Sequence, residues 1–137
     1  MQLSMNYRMV IKSLLVWALI IPCAILNGAF RQMILEPRLG NMTANAISVV
    51  MLCLLIFIVA FFFIPRLGRG NRKTYLKIGL LWILATVVFE TGLGLLLGMS
   101  LQEVLEAYNI MAGNFWLVVV LFTGIAPILT AKLKRIV

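Results

Sequence analysis

The chain has 137 residues, of which 64% are hydrophobic, with a mean hydropathy of +1.10 and a formal net charge of +8. Soluble domains are about half apolar, so this composition describes a membrane protein, and the length suits one small bundle with no second domain. The cations sit at the ends of apolar runs rather than along one soluble face, which argues against nucleic acid as a partner and makes them topology signals and contacts for anionic lipid.

Arg8 and Lys12 precede the first apolar run, residues 13–35. This beginning imitates a signal peptide. Pro22 stands before Cys23, where a lipoprotein site requires a small residue, and Asn27-Gly28-Ala29 is a poor cleavage site, so the segment reads as a retained signal anchor. Within it, Cys23, Asn27 and Arg31 recur every fourth residue and share one helix face. Glu36-Pro37 should end the helix, because the residue before proline is pushed out of helical space. Arg38-Leu39-Gly40-Asn41 turns the chain, and Thr43 is placed to cap the second run, residues 44–64, which ends at Pro65. The basic loop that follows holds Arg66, Arg69, Arg72 and Lys73, the candidate anionic-lipid contacts.

The third run, residues 78–99, carries Trp82, Thr86, Glu90 and Gly94 on one face. Gly92, Gly94 and Gly98 thin the helix beside Glu90, as a surface for close helix packing or as a gate. Ser100-Leu101-Gln102-Glu103 fits a capping box, and the spacing of Leu101, Val104, Leu105 and Tyr108 predicts a short amphipathic helix over 101–108 along the membrane surface. Gly113 separates it from the fourth run, residues 114–131, where Pro127 next to a nearby Gly124 predicts a kink.

Each run is about as long as the roughly 20 residues that cross a bilayer, and none alternates as barrel strands do. The fold class is therefore an all-α integral membrane four-helix bundle with a short amphipathic helix between the third and fourth spans. Ten of the 12 cations fall on one side, which predicts cytoplasmic N- and C-termini. This bias also separates the chain from small four-helix drug exporters and fluoride channels, whose families often insert both ways round. The exporters carry their carboxylate in the first helix, whereas here it lies in the third, and the glycine and Phe-Ser-Thr signatures of the fluoride channels are missing.

Arg31 and Glu90 are charges inside spans, where a lone charge costs several kcal/mol, so such residues often mark function. Three readings stay open. They form a substrate, ion or proton site together with Asn27 and Thr86. They form a buried pair that fixes helix register. Or Arg31 snorkels to the outer interface.

The sequence has no histidine, and Cys23 and Cys53 lack metal-ligand spacing. No catalytic triad, phosphate loop or dinucleotide fingerprint occurs. No metal or other cofactor is expected, and a non-enzymatic role is favoured. The expected partners are membrane lipids, anionic on the cytoplasmic face, with a homo-oligomer or a larger membrane complex left open.

Three segments carry a resemblance: Asn27-Gly28-Ala29-Phe30-Arg31, then Phe89-Glu90 with Gly92 and Gly94, then Gly98 and Ser100-Leu101 running on to Glu106-Ala107-Tyr108-Asn109 and Gly113. Over most of its length the chain resembles a group of small, uncharacterised bacterial four-helix inner-membrane proteins. The resemblance implies a bacterial inner-membrane location with Arg31 and Glu90 in matching positions, and it brings no activity with it. Two functions remain in view: a small transporter or channel component centred on Arg31 and Glu90, or a non-catalytic accessory or lipid-binding protein in which the pair is structural.

Overall fold

Leucine, isoleucine, valine and alanine dominate four long segments, and in lipid such segments must satisfy every backbone group internally, which a helix does. The computed structural model describes residues 7–67, 70–106 and 116–135. It is all-helical among those residues: α1 (Tyr7–Phe30), a π turn (Arg31–Leu35), α2 (Glu36–Leu39), α3 (Asn41–Phe63), a 3-10 turn (Ile64–Leu67), α4 (Arg72–Leu96), α5 (Leu101–Glu106) and α6 (Trp116–Leu133). Four stretches are long and apolar enough to span a membrane: Tyr7–Leu39, Asn41–Leu67, Arg72–Leu96 and Trp116–Leu133.

The element ends correct the sequence reading in instructive ways. The first span does not stop at Glu36-Pro37. Its last turns widen, and the Glu36 N–H donates to the Arg31 carbonyl five residues back. A π turn gives the Pro37 ring room where a tight α turn would crowd it. The helix ends instead at Gly40, whose φ of 83° suits glycine. Thr43 caps nothing, because α3 already begins at Asn41 and has no side-chain cap. At the other end of α3, Arg66 donates to the Phe62 carbonyl at 2.8 Å, a cation placed on a helix C-terminus.

The third span begins six residues before position 78, at Arg72. Asn71 caps it, with its Oδ1 accepting from the Thr74 N–H at 3.0 Å and from the Thr74 hydroxyl at 3.1 Å. The same span ends before position 99. Gly98, at φ 93°, follows the last turn, and the Met99 and Gly98 N–H groups donate to Gly94 O and Leu95 O. That paired arrangement is a Schellman motif. Gly98 therefore terminates α4 rather than packing within it.

The capping box forms as the spacing predicts. The Ser100 N–H donates to Glu103 Oε1 at 2.9 Å, and the Glu103 N–H donates to Ser100 Oγ at 3.2 Å. Residues 107–108 of the predicted surface helix, Tyr108 among them, lie outside the described residues. So do Gly113 and positions 114–115. The described helix runs on through Pro127, which is buried.

The spans go up and down in sequence, and their contacts close a ring in the order α1, α3, α6, α4. The seam between α4 and α6 is the most extensive, and the seam between α4 and α1 is thin. Gly79 and Gly124 make the α4–α6 crossing: a Cβ at Gly79 would stand 2.0 Å from the Gly124 carbonyl oxygen. Such close approach needs two glycines facing each other. These two glycines were not among those the sequence marked for helix packing or gating, Gly92, Gly94 and Gly98, of which Gly94 packs against α5.

The half of the bundle that holds the chain termini is solid. Met9, Ser13, Val16, Ala60, Ile64, Tyr75, Ile78, Trp82, Ala126 and Thr130 are buried there. Trp82 is fully buried and donates its indole N–H to the Ser13 carbonyl at 3.0 Å. Large residues along the outward faces, such as Leu15, Leu54, Leu84 and Leu121, are exposed, as lipid-facing side chains are.

Candidate functional site

The other half of the bundle is hollow. A cavity of about 480 Å³ lies between α1, α3, α4 and α6. Its wall residues come from α1 from Trp17 onward, the π turn and α2, α3 as far as Ile56, the last turns of α4 and the first turns of α6. Ile20, Leu52, Ile56 and Val119 form its apolar depth. Arg31, Glu36, Asn45 and Glu90 supply its charged and polar part.

Two side-chain bonds hold the wall. Asn27, buried in α1, donates its amide N–H to the Ser48 carbonyl at 3.2 Å and accepts from the Ser48 hydroxyl. This clamp ties α1 to α3. On the other side, Trp17 donates its indole N–H to Thr86 Oγ1 at 2.9 Å. Its ring meets Phe89 edge-on with centroids 6.0 Å apart, and together these contacts close the thin α1–α4 seam below Glu90. Asn27 and Thr86 thus line the cavity while each is bonded to a neighbouring helix.

Arg31 and Glu90 face the same cavity without forming an ion pair. Arg31 takes Glu36 instead, with Nε 3.3 Å from Oε2. The π turn explains the exchange, because a widened helix stacks residues five apart on one face. The pairing geometry leaves the Arg31 Nε–H buried without a hydrogen-bond acceptor. The expected intramembrane bridge between two spans is therefore a bridge within one. Glu90 makes no hydrogen bond or ion pair among the described residues.

Glu90 also lines a second, smaller cavity of about 170 Å³, together with Leu93, Gly94, Leu97, Met99, Val104 and Trp116. Its outer wall is α5. Val104 is buried against Gly94, where a Cβ would stand 2.7 Å from Val104 Cγ2. Gly94 is thus a notch for the surface helix. A Cβ at Gly92 meets open space. Leu101 and Leu105 remain exposed, as does Glu103. The Ser100 N–H and hydroxyl bonded to Glu103 hold its carboxyl below the usual range.

Of the candidate lipid contacts, Arg66 is committed in part to the Phe62 carbonyl, and Arg72 and Lys73 are exposed on the first turn of α4. Arg69 lies outside the described residues.

Sequence reasoning missed Trp17, Glu36, Asn45, Ser48 and Trp116 as wall residues. Asn45 and Ser48 carried a signal, since they are polar residues three apart at the start of an otherwise apolar run. Nothing in the sequence sets Trp17 and Trp116 apart. No protein-family model, curated protein or solved structure matches this chain.

Proposed function

We propose that this chain is a non-catalytic membrane protein that binds a small amphiphilic molecule in its hollow half. One observation supports this reading above the others. The bundle is packed solid at one end and open at the other, and the open half has a charged rim over an apolar floor. A cavity of about 480 Å³ is within the roughly 300–1,000 Å³ range of small-molecule pockets, whose walls are mostly apolar with a few placed polar groups. Buried Trp82, Tyr75, Ile78 and Ile64 block continuation into the other half. That favours a binding pocket over a continuous path.

A small transporter or channel component is the second reading. The observation in its favour is Glu90, which has no side-chain partner among the described residues and is shared between two cavities. An exchange site needs such a group. Ten cations on one side support cytoplasmic termini, and the resemblance noted above supports a bacterial inner membrane. Exposed Arg72 and Lys73 support contact with anionic lipid there.

The test is saturable binding of a fluorescent single-chain amphiphile by purified protein in nanodiscs. Leu52→Trp and Ala24→Phe each fill the cavity from a different helix and should abolish the saturable component. Binding that survives in both folded variants rules out the pocket. Ion or proton flux in liposomes, lost in Glu90→Gln, would move the conclusion to the transporter reading.

A further inference from the structure

The charges of the cavity say what kind of head group belongs in it, an inference that rests on the binding reading above. Arg31, Glu36 and Glu90 are the ionisable residues of its wall. Arg31 and Glu36 answer each other at 3.3 Å. That leaves the Glu90 carboxylate, which has neither hydrogen bond nor ion pair among the described residues. An unanswered carboxylate in a low-dielectric site is costly, and a bound cation removes the cost.

The surroundings of Glu90 suit an organic cation better than a bare ion. Trp17, Phe89 and Trp116 line the same cavity. Aromatic faces attract ammonium groups, and they attract them more strongly where water is excluded. The described residues hold no group of three or more carboxylate, cysteine or histidine side chains that could cage a metal. Among the described residues the Trp116 indole N–H is buried without an acceptor, and Trp116 lines both cavities that Glu90 lines. It offers a hydrogen bond to an oxygen near the head of a ligand. The same wall carries Ile20, Leu52, Ile56 and Val119, an apolar lining for a hydrocarbon tail.

We propose that the cavity binds an amphiphilic ammonium compound, its cationic head at Glu90 beside Trp17, Phe89 and Trp116 and its tail along the apolar wall of Ile20, Leu52, Ile56 and Val119. The ammonium can belong to a free amine or to an aminolipid of the bilayer.

The experiment uses the full chain in nanodiscs of phosphatidylglycerol, which carries no ammonium. Three probes of equal tail length are titrated: dodecyltrimethylammonium, dodecanol and dodecyl sulfate, each displacing a fluorescent alkylammonium. Wild type should prefer the ammonium over the alcohol by at least tenfold. Glu90→Gln should weaken ammonium binding at least tenfold and so erase that preference, and Glu90→Asp should keep part of it. Competition by phosphatidylethanolamine added to the nanodisc would assign the head group to bilayer aminolipid, and its failure to compete would assign it to a free amine. Equal affinity for ammonium and alcohol in wild type overturns the proposal without touching the binding reading, and it does so even where Glu90→Gln fails to fold. Displacement of the probe by sodium or potassium as effectively as by dodecyltrimethylammonium also overturns it, in favour of a simple ion site. If no probe binds saturably, the pocket itself is refuted.

Discussion

Replacing Gly79 by alanine should damage this protein more than any other single glycine-to-alanine change in the third span. A Cβ at Gly79 would sit 2.0 Å from the Gly124 carbonyl oxygen and 2.9 Å from its carbon, whereas ordinary contact begins at 3.4 Å. α4 and α6 must part by about 1.4 Å to admit it, and the obstacle is backbone, which has no rotamer to change. Overpacking of this kind costs roughly 1–3 kcal/mol, and the upper end applies where backbone meets backbone. Alanine returns up to about 1 kcal/mol of helix propensity. The net expectation is a loss of about 2 kcal/mol, or roughly 5–10 °C in apparent Tm. Gly124→Ala should cost less, because its Cβ meets Ile83 Cδ1 at 2.2 Å, the far end of a flexible side chain. Gly92→Ala meets open space and should be neutral or gain up to about 1 kcal/mol. The assay is thermal unfolding of purified protein in detergent, followed by size-exclusion peak height after heating. If Gly79→Ala melts with wild type, or Gly92→Ala melts below it, the α4–α6 crossing is not where the structure puts it.

Asn27→Ala should destabilise by about 1–3 kcal/mol, because it strands the buried Ser48 hydroxyl, and Asn27→Ala/Ser48→Ala should lose less than the two single changes added together in the same melts. The capping box should titrate: with the Glu103 carboxyl held below its unfolded value, its contribution is full above that unfolded value and is lost as pH falls through the lower folded one. A spin label at exposed Gln102 should therefore gain mobility on acidification, and Glu103→Gln, which removes the titrating group, should abolish the pH dependence. For orientation, single cysteines at Asn41 and Lys73 in a background lacking Cys23 and Cys53 should be labelled in intact cells at position 41 and protected at position 73 from an impermeant thiol reagent; the reverse pattern would invert the proposed topology.

The architecture was legible because hydrophobic run length is a direct readout of bilayer thickness. The spans, the order of the elements and the capping box could all be read from residue types at short spacing. What the sequence concealed depended on neighbours far apart in the chain. Pro37 looked like a stop, since a proline disfavours helix at the preceding residue, but a π turn absorbs that penalty without ending the helix. The same turn moved Arg31 from Glu90 to Glu36, a partner five residues away that ordinary α-helical spacing does not place on its face. The glycines near Glu90 drew attention because they cluster, whereas the crossing glycines, 79 and 124, stand 45 positions apart and belong to different spans. Of the proposed site, Arg31, Asn27, Thr86 and Glu90 do share one cavity. Which of them is left with unspent bonding capacity could not be read from type and spacing, because Asn27 and Thr86 are spent on Ser48 and Trp17.

The two halves of the bundle differ through the size and bonding of what faces the interior. In the solid half, Gly79 and Gly124 let α4 and α6 approach until little space remains, and the rings of Trp82 and Tyr75 fill what is left, with the Trp82 N–H satisfied by a carbonyl of α1. In the hollow half the interhelical ties are side-chain bonds: Asn27 with Ser48, and Trp17 with Thr86. Such ties hold helices at a fixed spacing without requiring the space between them to be filled. Close van der Waals packing holds the first arrangement and hydrogen bonding the second, and the second leaves a volume for another molecule. Weakening the clamps should therefore alter ligand binding before it unfolds the solid half, whereas weakening the glycine crossing should unfold both together. A functional site in this chain is then expected where interhelical hydrogen bonds replace close packing, and that half is the one in which Glu90 has no side-chain partner among the described residues.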